Sequence, residues 1–190
     1  MNDRDMKGVP LFTASQVRQI DRLAIEQDVD GYGLMVQAGE AAFTSLLSRW
    51  PNVRQLLVLC GKGNNGGDGF VIARLAKQHN IEIQLALIGN VADLKGEAKL
   101  AADDALAEGI EVLNPDQLIW PKEQDNVVVD ALLGTGIQSD VSAEFAELID
   151  KANACGLPIL AIDVPSGINA STGHKQGAAI KAAATVTMIA

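Results

Sequence analysis

The chain has 190 residues, 48% of them apolar and 21% charged, enough for one globular domain with a sizeable core. Its net charge of −9 argues against a general nucleic-acid or anionic-membrane partner, so any phosphate must be held by local amides and dipoles. No apolar run approaches the roughly 20 residues of a membrane helix, the opening Met1-Asn2-Asp3-Arg4-Asp5 lacks a signal-peptide core, and Cys60 and Cys155 lie far apart without metal-ligand spacing, so a reducing, cytoplasmic setting is expected.

In chain order, residues 1–12 read as a mobile tail and residues 13–190 as one domain. Thr13 and Gln16 have capping-box spacing, and Val17, Ile20, Leu23 and Ala24 follow with helical spacing. Gly31 and Gly33 read as a break. A second helix is expected from about Leu34 to Trp50, with Met35, Ala38, Ala42 and Leu46 on one face and Pro51 as its stop. The Ala- and Leu-rich faces of these two helices suggest pairing with another subunit, hence a homo-oligomer. Strands and helices then alternate. Strands are expected at Gln55–Cys60, Ile81–Ile88, Ile110–Leu113, Asn126–Ala131, Pro158–Asp163 and Ala184–Ile189. Helices are expected at Gly69–Gln78, Leu94–Glu108 and Ser142–Ala154, the last two stopped by Gly109 and Gly156. Runs such as Val127-Val128-Val129 and Ile159-Leu160-Ala161-Ile162 are continuously apolar, as strands covered on both faces are. The expected fold is α/β: a three-layer αβα Rossmann-like arrangement with a mostly parallel, doubly wound sheet and two N-terminal helices. Because the chain stops inside an apparent strand, a fragment of a longer protein is expected.

Three polar, glycine-bearing segments each follow a strand: Gly61-Lys62-Gly63-Asn64-Asn65-Gly66-Gly67-Asp68-Gly69, Asp130-Ala131-Leu132-Leu133-Gly134-Thr135-Gly136 and Asp163-Val164-Pro165-Ser166-Gly167. Parallel sheets bind ligands at the carboxyl ends of their strands. With strand order 3-2-1-4-5, the three segments converge on one crevice. A glycine-rich turn leading into a helix aims backbone N–H groups and partial positive charge at a phosphate. Turn-making alone would explain each segment singly, but Asp130 and Asp163 both end apolar strands, where a carboxylate is costly unless paired, solvated or bound to a cation.

Familiar motifs fit poorly. Gly61-x-Gly63-x-x-Gly66 matches the dinucleotide fingerprint, yet the acidic residue expected at the end of the second strand is missing: Gly89-Asn90 stand there. No lysine follows the glycines as a phosphate-binding P-loop requires, and Val164 occupies the place of the first glycine of a nucleophile elbow around Ser166. His79 reads as a helix C-cap, His174 as a surface residue that could approach the third segment, and Cys60 as a small buried residue under the first. Asn169-Ala170-Ser171 matches a glycosylation acceptor by chance.

Taken together, these segments resemble the NAD(P)H-hydrate epimerase family, also called the YjeF N-terminal domain. The matching residues are Leu34-Met35-x-x-Ala38-Gly39, Gly63-Asn64-Asn65-Gly66-Gly67-Asp68-Gly69, Asp130 to Gly136, and Asp163-x-Pro165-Ser166-Gly167 followed by Thr172-Gly173. The resemblance spans about Thr13 to Ala190; Lys62, at a variable position, and Met188, where an aromatic residue is common, depart from the pattern. It implies an isomerase of nicotinamide nucleotide repair. NAD(P)H hydrated at carbon 6 exists as two epimers, a partner dehydratase repairs only one, and the epimerase interconverts them. The substrate would be NADHX or NADPHX, and a dehydratase domain would follow in the full-length chain. Asp163 is the candidate acid/base, acting through an iminium or a ring-opened aldehyde. The substrate would be held by Asn64, Asn65, Gly66, Gly67 and Asp68, by Gly134, Thr135, Gly136, Ile137, Gln138, Ser139 and Asp140, and by Asp163. The resemblance also implies a potassium ion held by Asn65, Asp130 and Ser166. Two alternatives remain: a non-catalytic nucleotide-binding or scaffolding module of the same fold, and an ordinary NAD-dependent reductase, against which the missing acidic residue argues.

Overall fold

A computed structural model of the chain describes Gln16, Gln19, residues 30–121, Glu123 and residues 125–187. The expected first helix, around Val17, Ile20, Leu23 and Ala24, lies outside the described residues, as do the expected tail and the last two residues of the expected final strand, Met188 and Ile189. The elements are helix α1 (Gly31–Arg49), β1 (Gln55–Cys60), α2 (Asn64–Gln78), β2 (Glu82–Leu87), α3 (Gly96–Ala107), β3 (Val112–Leu113), β4 (Asn126–Ala131), α4 (Ala143–Ala154), β5 (Ile159–Ile162) and β6 (Ala184–Val186). Short 3-10 turns occur at Val91–Asp93 and Pro115–Gln117.

The six strands form one sheet in the order β3-β2-β1-β4-β5-β6, every neighbouring pair parallel. β1 lies in register with β2 and β4 along its whole length, from Gln55 opposite Glu82 and Asn126 to Cys60 opposite Leu87 and Ala131. Side chains alternate between faces, so each apolar strand serves two cores. On one face, Leu56, Val58, Cys60, Val127 and Val129 pack with α1, α2 and α3. On the other, Leu57, Leu59, Val128 and Ile159 pack with Leu148, Ile149 and Ala152 of α4. The three-layer, doubly wound expectation holds, with three described helices on one face and α4 on the other. Tyr32 and Arg74 both hydrogen-bond Asp104 Oδ2, at 2.5 and 2.6 Å, tying α1, α2 and α3 together.

Several element boundaries differ from the sequence expectation. Gly31 and Gly33 do not break the chain; they form the first turn of α1, because Asp30 caps it by accepting the Tyr32 N–H at 3.1 Å. α2 begins at Asn64, five residues before the expected Gly69. Its glycines cost helix propensity but permit packing: a Cβ at Gly66 would lie 1.9 Å from the Gly61 carbonyl oxygen, and one at Gly69 would lie 2.6 Å from Cys60 Sγ. α3 begins at Gly96, since the Val91–Asp93 turn intervenes. Only Val112–Leu113 of the expected third strand pairs, opposite Leu85 and Ala86. β5 ends at Ile162, and Asp163 stands just beyond it. No described helix is long and apolar enough to cross a membrane.

Candidate active site

The turn after β1, the segment after β4 and the segment after β5 meet at the carboxyl edge of the sheet. β1 and β4 are neighbours and β5 is next, so this follows from the strand order. The backbones interlock. Gly61 donates its N–H to the Ala131 carbonyl at 3.0 Å, and a Cβ at Gly61 would lie 1.9 Å from the Leu132 carbonyl oxygen. Gly134 sits between the other two segments: a Cβ there would lie 2.6 Å from Asp163 Oδ2 and 3.5 Å from Asn65 Cβ.

Asp163 is held in an unusual backbone state. Its φ is +67°, and the Val164 N–H reaches back to the Ile162 carbonyl at 2.9 Å, so Asp163 is the centre of a three-residue turn. A left-handed non-glycine residue is strained and persists only where its surroundings hold it. They do so here: the Asp163 N–H donates to Val186 O at 2.8 Å, its carbonyl accepts the Thr187 hydroxyl at 2.9 Å, and its Oδ2 accepts the Thr135 N–H at 2.9 Å. The carboxylate is thereby fixed over the crevice. Asp68, in the first turn of α2, feels its charge. Burial first, and the Asp163 carboxylate second, push Asp68 up to about 7. Two carboxyl groups thus face one space, one of them poised between its charged and neutral forms near neutrality.

Asp130 is fully buried on β4. Its Oδ2 accepts the Ser166 N–H at 2.8 Å, and its Oδ1 accepts the Ser166 hydroxyl at 2.5 Å and the Leu132 N–H at 3.3 Å. Ser166 Oγ in turn accepts the Leu133 N–H at 2.9 Å. Burial pushes Asp130 up to about 6, opposed by these hydrogen bonds. No ion pair to Asp130 occurs among the described residues.

Asn65 is the outlier. Its side chain is buried, and neither Oδ1 nor Nδ2 has a hydrogen-bond partner among the described residues. An orphaned amide in a protein interior is costly and points to a missing partner. A hard monovalent cation fits this donor set: one amide oxygen without a partner and one buried carboxylate without a counter-charge. Ser166 fits less directly, because its hydroxyl already serves Asp130 and Leu133. No three His, Cys, Asp or Glu side chains cluster as a metal site among the described residues.

The expected substrate-holding residues divide. Asn65, Gly66, Gly67 and Asp68 belong to the first turns of α2 rather than to a loop, and Gly63 caps that helix without a side-chain bond. The N–H groups of the first turn therefore have no helical acceptors and remain available to an anion. Asn64, Gly136, Gln138, Ser139 and Asp140 are exposed, while Gly134, Thr135 and Ile137 are half-buried. His79 caps α2, with Nδ1 2.8 Å from Leu75 O, and His174 is exposed, its N–H bonded to Thr172 Oγ1. Both cysteines are free, and burial pushes the Cys60 thiol far up, so it is inert packing under the first turn.

Sequence reasoning missed Asn169, treating it as a chance glycosylation match. Its Nδ2 donates to Ile137 O at 3.2 Å, and its Oδ1 accepts the Ser171 and Thr172 N–H groups, both at 3.0 Å. It braces the segment after β4 from behind. The one signal in sequence was an asparagine near a turn, which is too common to single out.

The model of the YjeF-related protein N-terminus family matches residues 31–190. The chain belongs to this family. Among curated relatives, the bifunctional NAD(P)H-hydrate repair enzyme Nnr of Coxiella burnetii is 46% identical over 181 residues, which are 95% of this chain and 36% of that protein. The chain therefore spans little more than a third of that relative. The NAD(P)H-hydrate epimerase of Rhodopirellula baltica is 35% identical across 96% of this chain and 75% of its own length. A crystal structure of the yeast protein YNL200c superposes with a TM-score of 0.81, covering 94% of this chain and 80% of that one, at 21% identity; it shares the fold. The family match covers all three segments that build the crevice.

Proposed function

We propose that this chain interconverts the two carbon-6 epimers of hydrated NAD(P)H. The observation that carries the reading is Asp163: a strained, fully braced carboxylate beside Asp68, over a crevice whose helix N-terminus suits phosphate. The relatives' names agree, including epimerases of which this chain covers about three quarters.

Carbon 6 of the hydrate carries a hydroxyl and the ring nitrogen. In one route a carboxyl group gives its proton to the hydroxyl, the C–O bond breaks, and water leaves behind an iminium. Water then adds to the opposite face, and the carboxylate takes the excess proton back. In the other route the hydroxyl loses its proton, the C–N bond breaks to give an aldehyde, and reclosure from the other face restores the ring. Both need a group that holds and returns one proton, and neither transfers a hydride. The candidate for this group is Asp163, a reading supported by its Oδ2 accepting the Thr135 N–H. Asp68 is the adjacent group able to share the proton. The first turn of α2 and residues 134–140 would hold the dinucleotide.

Asn65, Asp130 and Ser166 would hold a potassium ion. A bound ion would supply positive charge to the buried Asp130 carboxylate. The setting we infer is cytoplasmic repair, in partnership with a dehydratase that takes one epimer.

The test is a dehydratase reaction run to its plateau, where only the rejected epimer remains. Adding this protein should carry conversion to completion. An unchanged plateau, with the dinucleotide still bound, would instead make the chain a non-catalytic binding module.

A further inference from the structure

The crevice has an unassigned side. Strand order places Asp163 beyond β5, two strands from β1, and places β2 on the opposite flank of β1. The turn after β1 and the end of β2 are joined: the Ile88 N–H donates to Cys60 O at 2.9 Å. In sheets wound this way a dinucleotide lies across the strand ends, its pyrophosphate over the first turn and its adenosine over the end of β2. With the reacting ring at Asp163, the adenosine ribose falls at Gly89 and Asn90. From β5 to β2 is three strand intervals, about 14 Å, a span an extended dinucleotide bridges.

At that place a grip for an unphosphorylated ribose would show a carboxylate for the 2′-hydroxyl. Here the position is Gly89, with φ of +111°, and a Cβ on it would lie only 2.7 Å from Lys62 Cδ and 3.1 Å from Lys62 Cγ. The Lys62 stem thus lies across the end of β2, in room that the missing side chain leaves. Lys62 is exposed and makes no ion pair among the described residues. On a chain of net charge −9, a cationic side chain whose stem crosses the end of β2 stands out.

We propose that Lys62 is a specificity residue that binds the 2′-phosphate of the adenosine ribose, so that the phosphorylated hydrate, NADPHX, is the preferred substrate. This rests on the epimerase reading for the placement of the reacting ring. A lysine suits the task as a point charge on a flexible stem, screened by salt.

The experiment compares wild type, Lys62→Gln and Lys62→Arg with both hydrates. Lys62→Gln should raise KM for NADPHX by roughly tenfold or more, the usual scale of a hydrogen bond to a charged group. Its KM for NADHX and both kcat values should stay within about twofold of wild type, and Lys62→Arg should restore the preference. Binding of 2′,5′-ADP and 5′-ADP, measured by calorimetry, supplies a readout independent of turnover: wild type should favour 2′,5′-ADP, and Lys62→Gln should erase the difference. Equal losses for both hydrates would place Lys62 at the shared pyrophosphate and overturn the proposal. Equal binding of the two nucleotides by wild type would overturn it as well. Absence of epimerisation together with Lys62-dependent preference for 2′,5′-ADP would sink the epimerase reading and leave the ribose-phosphate site standing.

Discussion

Asp163 combines two properties that pull apart in a substitution. Its carboxyl is the candidate proton carrier, and its left-handed backbone restricts what can replace it. Asparagine tolerates that backbone nearly as well as aspartate and can still accept the Thr135 N–H. Asp163→Asn should therefore fold normally and lose roughly 100- to 10,000-fold in epimerisation rate, with much smaller loss of dinucleotide binding. Rates from the dehydratase-coupled assay and calorimetry with an unreactive analogue check both halves; near-normal rate would move the acid/base role to Asp68. Asp68 makes its own prediction. Its folded value, about 7, lies above its ordinary 3.8, so the native state holds more protons than the unfolded chain between those limits. Stability must then fall as pH rises through that window and level off above it. Asp130 acts with the same sign up to about 6. Urea titrations of Asp68→Asn should accordingly show the decline above pH 6 removed, and a slope unchanged from wild type would refute the assignment.

At the scale of elements, the site depends on how closely α2 and the β4 exit approach the end of β1. Gly61 and Gly66 are equally tight points; at Gly61 a Cβ would sit 1.9 Å from a backbone carbonyl that cannot swing aside. Gly61→Ala should cost about 3 kcal/mol or more. Gly136, with nothing within 4 Å of its would-be Cβ, is the matched control and should change by about 0.5 kcal/mol or less on replacement by alanine. Similar melting temperatures for the two variants would mean that the backbones part easily. The clamp between α1, α2 and α3 works on the same scale. Burial pushes the Tyr32 hydroxyl up to about 12, keeping it a neutral donor to Asp104.

For the whole molecule, the orphaned Asn65 amide and the uncompensated Asp130 carboxylate are costs that a bound cation would offset. Potassium should raise the melting temperature above an equal concentration of a bulky organic cation. A ligand at 100 times its Kd adds about 2.7 kcal/mol, worth about 2–4 °C per kcal/mol for a chain of this size. Asp130→Ala should abolish that difference between the two cations. A potassium effect surviving in the variant would place the ion elsewhere.

The sequence by itself determined the sheet, because strands buried on both faces must be continuously apolar, and that pattern is local. It also determined the three polar segments, since a carboxylate ending an apolar strand is conspicuous in one dimension. The family pattern singled out Asn65, Asp130 and Ser166 as candidates, while the partnerless Asn65 amide became visible only in the structure. Tertiary structure decided what depends on approach between distant segments. Helical propensity counts Gly66 and Gly67 as helix breakers, yet contact with Gly61 and Met35 makes glycine the residue that lets α2 begin at Asn64. The strain at Asp163, held by Thr135 and Val186, is invisible in sequence because it is imposed by bonds spanning more than twenty residues. The same holds for Lys62: alone it is a surface lysine, and only the positive φ and missing side chain of Gly89 lay its stem across the end of β2.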